Sequence, residues 1–166
     1  MEAQERLFEE GIRLGMCDKF RDRWDKPSTK DLCRMFFEGM DFCIENDYPS
    51  LSIIKELYSP DELSRHGVHI SDGDSIGQNH ICVLGESNVN IFIPKNKVCR
   101  VYARHNCNVH LHLDEGAFCY ISILDKSNIF VDKKESGATL KCSFFSGEIY
   151  NKDLFDTINY KTTKEG

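Results

Sequence analysis

Three stretches spaced 20 residues apart determine the predicted fold: 87-SNVNIFI-93, 107-CNVHLHL-113 and 127-SNIFVDK-133. Each has an asparagine at its second position and then aliphatic residues at alternate positions, up to Ile93, Leu113 and Val131. Alternation with a period of two is typical of a β-strand that buries one face. Repetition at a fixed period indicates stacked structural units.

The apolar residues fall into columns with the same period. These columns are Val89/Val109/Ile129, Ile91/Leu111/Val131 and Ile93/Leu113, the last of which fails at Lys133. Halfway along each period a second strand repeats, with Cys99, Val101 and Ala103 followed by Cys119, Ile121 and Ile123. The pattern predicts an α+β fold, in which an N-terminal helical cap precedes a short β-solenoid with about 20 residues per coil. An antiparallel meander or sandwich would explain the alternation but not the identities at 20 residues.

Asparagine recurs at one position of every coil, as Asn88, Asn108 and Asn128. Asparagine tolerates left-handed backbone at turns, and stacked amides can hydrogen-bond to one another as a ladder. We therefore expect these three residues to form a structural ladder at a corner of the solenoid.

The boundaries of the solenoid follow from changes in the pattern. The buried parity flips after Gly137, which predicts a bulge or turn near 135–137. The helical region is predicted at 1–67, the solenoid at 68–150, and a C-terminal strap or tail at 151–166. Leu154, Phe155 and Ile158 would cover the open end of the core, and the helices would cap the first coil.

Composition limits the classes of function. The net charge is −6, and residues 1–66 carry ten Lys and Arg against fifteen Asp and Glu, which argues against nucleic acid as a partner. No apolar run is long enough for a membrane span, and the first ten residues lack a signal-peptide pattern, so we expect a cytoplasmic protein. The eight cysteines lack CxxC spacing and are predicted to be buried thiols. No cofactor is predicted.

Few residues suggest chemistry. His110 and His112 point outward on one strand, and Asp132 on the next coil could complete a weak metal site, although zinc needs three or four converging ligands. The segment 72–75 resembles part of a calcium loop but is better explained as a turn. His105 and Cys107 are a weak candidate for a catalytic dyad.

Outward aromatic and arginine residues suggest a binding surface, because these residue types are favoured at protein interfaces. The candidate partner-binding residues are Phe92, Arg100, Tyr102, Arg104, Phe118, Tyr120 and Phe130. Either a partner protein or the helices and C-terminal strap could cover them.

Three strings carry a resemblance: 7-LFEEGIRLGMC-17, 39-GMDFCI-44 with 47-DYPS-50, and 101-VYARHN-106. Together they resemble an uncharacterised family of small proteins from gut Bacteroidales genomes and their phages or mobile elements. The resemblance implies a helical head and a repetitive β region, and it supplies no active-site residues.

The preferred interpretation is therefore a non-enzymatic interaction or structural protein that binds a protein partner through a solenoid face. Two alternatives stay open: an inhibitor-like binder, such as an immunity or anti-defence protein, and a small metal-dependent enzyme using His110 and His112. The sequence does not define the oligomeric state, and a homo-oligomer is compatible with it.

Overall fold

The computed structural model describes residues 3–162, which divide into two compact units at His66 and Gly67. The first unit is helical, and the second contains the strands. The helices are α1 (Ala3–Arg13), α2 (Asp18–Arg21), α3 (Thr29–Glu38), α4 (Met40–Asn46), α5 (Leu51–Leu57) and α6 (Pro60–Arg65). Within residues 3–162, no helix combines the length and apolarity needed to cross a membrane.

Local sequence signals account for the helix boundaries. Ser28 begins α3 with a capping box, in which its side chain accepts from the backbone of Asp31, and Ser59 caps α6 ahead of the proline at its first position. Gly39 separates α3 from α4 within the predicted helical region. A Cβ at Gly39 would lie 3.3 Å from the ring of Phe20, so the small residue permits close packing.

The second unit is a β-solenoid of about four turns built from short parallel strands, as predicted. The strands are β1 (Val68–His69), β2 (Gly73–Ile76), β3 (His80–Val83), β4 (Asn88–Ile93), β5 (Val98–Ala103), β6 (Asn108–Leu113), β7 (Phe118–Ile123), β8 (Asn128–Lys134), β9 (Thr139–Phe144), β10 (Glu148–Tyr150) and β11 (Thr157–Tyr160). Odd-numbered strands form one parallel sheet, the odd sheet, and even-numbered strands form the other, the even sheet. Each coil contributes one strand to each sheet.

The predicted columns are present in the core. Val89 pairs with Val109, and Val109 pairs with Ile129, with all three side chains at 0% exposure. Inward side chains of both sheets form one continuous apolar cluster. Burying each large aliphatic side chain stabilises the fold by about 1.5–3 kcal/mol. Because each coil buries its side chains against the neighbouring coils, the coils stabilise one another.

The asparagine ladder is confirmed, but its backbone role differs from the prediction. Asn108 donates to Asn88 Oδ1 over 2.6 Å, and Asn128 donates to Asn108 Oδ1 over 3.0 Å. These residues are the first of their strands. The left-handed corner is three residues earlier, at Gly85, His105 and Asp125, which have φ of 74°, 73° and 58°.

The register shift is in β8, not at residues 135–137 as predicted. Leu111 pairs with Val131, whereas His112 pairs with Lys133, so Asp132 is the extra residue of a β-bulge. The bulge makes the next coil one residue longer and inverts the buried parity in β9, where Leu140 and Cys142 are fully buried.

The C-terminal segment forms a further strand rather than only a strap. Residues 151–156 include a short 3₁₀ turn, Lys152–Leu154, and β11 then pairs in parallel with β9. Phe155 belongs to the core cluster, and Leu154 and Ile158 pack against it, as expected for residues that cover the core. The solenoid strands thus continue to Tyr160, past the boundary expected at residue 150.

Candidate functional site

The weak metal candidate assembles in space but lacks ligand geometry. His110 Nδ1 lies 2.8 Å from Asp132 Oδ2, and His112 Nε2 lies 3.6 Å from the same oxygen. The bulge turns Asp132 towards both imidazoles. Over residues 3–162, no group of three or more His, Cys, Asp and Glu side chains is arranged to hold a metal ion. The cluster is a hydrogen-bonded His–Asp contact on the surface of the even sheet.

The outer face of the even sheet carries two columns of stacked rings. Phe92 stacks on His112 with centroids 4.4 Å apart, and His110 stacks on Phe130 at 4.6 Å. Phe130 in turn stacks on Tyr150 at 4.5 Å with an interplanar angle of 2°. In these columns the face of each ring packs against the face of the next ring. The outer surface of the even sheet therefore presents mainly ring edges to a partner.

The predicted partner surface is in fact divided between the two sheets. Phe92 and Phe130 are on the even sheet, and Arg100, Phe118 and Tyr120 are on the odd sheet. Parity alone places all five outward but does not show which of the two faces of a coil each one joins.

Two further candidates are not available to a partner. Tyr102 and Arg104 are only 3% and 7% exposed. Arg104 donates to the Tyr102 hydroxyl over 3.0 Å and to Asp125 over 2.9 Å. They form a buried polar network instead of the predicted binding site, since a buried guanidinium requires such partners.

The remaining odd-sheet candidates belong to a larger surface, the basic–aromatic patch. Its members are His80, Val98, Arg100, Phe118, Tyr120 and Lys141. His80, Arg100, Tyr120 and Lys141 are successive rungs of one outward column, and Val98 pairs with Phe118 in the next column. Val98 is 56% exposed. An apolar side chain this exposed beside an aromatic residue is typical of a contact surface.

Sequence reasoning missed His80, Val98 and Lys141 as members of this patch. Lys141 was missed because the bulge at Asp132 shifts the spacing from Tyr120 to 21 residues. Val98 and His80 could have been found by extending the 20-residue period backwards from Phe118 and Arg100.

The tyrosine in the patch is held in place from both sides. Its hydroxyl is hydrogen-bonded to Ser143 Oγ. The Arg100 guanidinium carbon lies 5.9 Å from its ring centroid, a cation–π arrangement. A side chain fixed in this way loses less conformational entropy when a partner binds.

Thiol chemistry is not favoured in the core. Burial raises the pKa of Cys99 to about 12 and that of Cys142 to about 11. It also raises the pKa of Cys107, while His105 Nδ1 accepts a hydrogen bond from the backbone N–H of Gly85. The Cys107 thiol is therefore a poor nucleophile, because the thiolate is the reactive form.

The calcium-like segment has its carboxylates engaged elsewhere. Asp72 accepts from the backbone N–H of Asn88 over 2.8 Å, and Asp74 accepts from the Asn90 amide over 3.0 Å. These contacts extend the ladder by one coil. Three of its four residues belong to strand β2 (Gly73–Ile76), which pairs with β4, so the predicted turn is instead the first strand of the even sheet.

A shallow groove along one corner of the solenoid is lined by Lys95, Asp114, Glu115, Glu135 and Ser136. Its charges are compensated from within, because Lys133 Nζ lies 3.0 Å from Asp114 and 3.4 Å from Glu135. The hydrogen bond to Asp114 raises the pKa of Lys133. Two of the three carboxylates that line the groove are therefore already paired with a lysine.

No protein-family model, curated protein or solved structure matches this chain.

Proposed function

We propose that the protein is a non-enzymatic binding module that contacts a protein partner through the basic–aromatic patch of the odd sheet. One observation carries the proposal: Val98, 56% exposed, lies beside Phe118, which is partly exposed, and next to the cation–π pair of Arg100 and Tyr120. Aromatic and arginine side chains around an apolar centre are the composition that protein interfaces favour.

The same side chains support binding over catalysis. The patch combines apolar, aromatic and cationic groups with one imidazole, His80, and none of its six members is a carboxylate that could orient that imidazole or a thiol that could act as a nucleophile. We also propose that the protein acts in the cytoplasm and, from the sequence resemblance, that it is encoded on a phage or mobile element. An inhibitor-like role would use the same patch.

The experiment compares two charge insertions at exposed apolar positions on opposite sheets. Val98→Asp places a carboxylate within the patch, and Ile76→Asp, at a residue 71% exposed on β2, is the matched control. Wild-type and variant proteins are used for capture with chemical crosslinking from native lysate. Circular dichroism and thermal unfolding verify that both variants fold.

We expect a protein that is enriched by the wild type and Ile76→Asp but lost from Val98→Asp, with crosslinks at Lys97 or Lys141. Enrichment that survives Val98→Asp contradicts the proposal. So does the absence of any protein enriched above the uncoupled matrix.

A further inference from the structure

Charge is distributed unequally between the two sheets. Across the described strands of the odd sheet, there is no Asp or Glu at all, although the chain carries 27 acidic residues and a net charge of −6. The even sheet contains Asp74, Asp132 and Glu148. An overall acidic protein therefore has one face on which the fixed charges, Arg100 and Lys141, are both positive.

These two cations are also less compensated than others in the described part of the chain. Arg6, Arg23, Arg104, Lys133 and Lys134 each have a carboxylate within 4 Å. Among residues 3–162, neither Arg100 nor Lys141 has such an ion pair. Lys141 contributes only a weaker attraction to Asp156, whose carboxylate is already bonded to Leu140 and Lys134.

The spacing of the cations is fixed by the fold. Arg100 pairs with Tyr120, and Tyr120 pairs with Lys141, so the two cations are two rungs apart in one column. Neighbouring strands are about 4.8 Å apart, which separates the two backbone positions by about 10 Å. The Tyr120 ring lies between them, with Val98 and Phe118 alongside.

We propose that the partner contacts this patch with an acidic segment that presents two carboxylates about 10 Å apart around an apolar or aromatic side chain. This inference rests on the proposed function and names the chemistry of its partner. A segment in the polyproline II conformation has three residues per turn and rises about 3.1 Å per residue, so acidic residues three apart lie on one face at about that separation.

A protein segment fits these features better than a nucleic acid. Binding of a phosphate backbone depends on many cations that release condensed counterions. This face has two fixed cations on a chain of net charge −6, so a long polyanion would be repelled by the rest of the molecule. A short acidic segment meets only the patch.

The test is a titration of the isotope-labelled full chain, followed by amide chemical shifts. The probe is a synthetic peptide of repeated Glu-Thr-Tyr, and the control peptide has Gln in place of Glu. A single-stranded oligothymidylate is the third arm. The protein variants are Arg100→Gln and Lys141→Gln, with Lys126→Gln, at an exposed corner, as the charge-matched control.

We expect saturable shifts confined to β5, β7 and β9 with the acidic peptide. An exposed ion pair is worth at most about 1 kcal/mol, so each patch variant should weaken binding by up to about fivefold. Lys126→Gln should bind as the wild type does, and added salt should weaken binding. Equal binding of the Gln peptide, unchanged binding by Arg100→Gln, or tighter binding of oligothymidylate through the same strands overturns the inference.

The two proposals fail separately. If the acidic peptide does not bind but Val98→Asp still loses its captured partner, the patch binds protein of another chemistry. If the peptide binds but Val98→Asp captures the same partner as the wild type, the patch binds acidic peptides but is not the surface that binds the captured partner.

Discussion

The side-chain amide of Asn108 donates a hydrogen bond to Oδ1 of Asn88, one coil away, over 2.6 Å. Asn128 repeats the contact to Asn108 over 3.0 Å. The first coil continues the series with a carboxylate, because Asp72 Oδ1 accepts from the side-chain amide of Asn88 over 3.5 Å and from its backbone N–H over 2.8 Å. One amide per coil therefore links successive coils outside the apolar core, and this link can be tested.

Of the three ladder asparagines, the middle one, Asn108, should lower the stability of the fold most when it is replaced. Asn108→Ala removes both a donor and an acceptor, and each net hydrogen bond is worth about 1 kcal/mol. We expect the free energy of unfolding to fall by about 1–2 kcal/mol in urea denaturation. Asn106→Ala, at an exposed corner two residues earlier, is the control and should be near neutral. Equal effects of the two substitutions would contradict a stabilising ladder.

Gly147 should tolerate no side chain. Its φ is 111°, and a Cβ there would lie 2.5 Å from the backbone oxygen of Ser127. Backbone cannot move aside as a flexible side chain can, so we expect Gly147→Ala to lower the free energy of unfolding by about 2 kcal/mol or more. Gly73→Ala, where a Cβ meets nothing within 4 Å, provides the comparison. Thermal unfolding measures both, and similar melting temperatures would refute the expectation.

Asp156 should contribute to the acid dependence of stability. Hydrogen bonds from the Leu140 N–H and from Lys134 lower the pKa of its carboxyl. A lowered folded-state pKa stabilises the protein above the unfolded value, near 3.9, and this contribution is lost as pH falls through the folded pKa. We expect Asp156→Asn to have a lower urea midpoint than the wild type at neutral pH.

That difference should shrink in acid, where both proteins carry a neutral side chain. Asp153→Asn, on the same turn and exposed, serves as the control and should follow the wild type at every pH. If the difference in urea midpoint between Asp156→Asn and the wild type is the same at every pH, the charge of the carboxylate does not contribute to stability.

Thiol labelling should distinguish one cysteine from the others. Among the eight cysteines, all within residues 3–162, none forms a disulfide; Cys17 is exposed and the rest are buried. Burial raises the pKa of Cys33 to about 12 and that of Cys119 well above its usual value. A chromogenic thiol reagent should therefore label one thiol rapidly in the folded protein and eight after unfolding.

Cys17→Ser should abolish the rapid labelling and leave the slow labelling of the seven buried thiols. Rapid labelling of a second thiol in folded Cys17→Ser would show that the core opens more readily than its packing implies.

Much of the fold could be predicted because the pattern of buried residues repeats along the chain. The Val89, Val109 and Ile129 column is visible in the sequence, since each coil must meet the same neighbours as the last. The bulge at Asp132 could not be located, because a one-residue slip leaves the same change of parity wherever it occurs between Val131 and Ala138.

The surface was harder to predict than the core. Alternation places Tyr102 outward on β5, yet it is buried with Arg104, and no local pattern shows whether an outward side chain is covered. The grouping of Arg100 with Lys141 also depends on the bulge, which brings residues 41 positions apart into one column.

The sequence by itself determined the period, the inward columns and the amide ladder, because a solenoid interior requires the same kind of residue at each turn. Only the tertiary structure decided which outward residues share a face, because that depends on which sheet each strand joins and on the single extra residue in β8. Repeated local contacts can be read along a chain, whereas a surface forms from residues brought together by the winding of the coil.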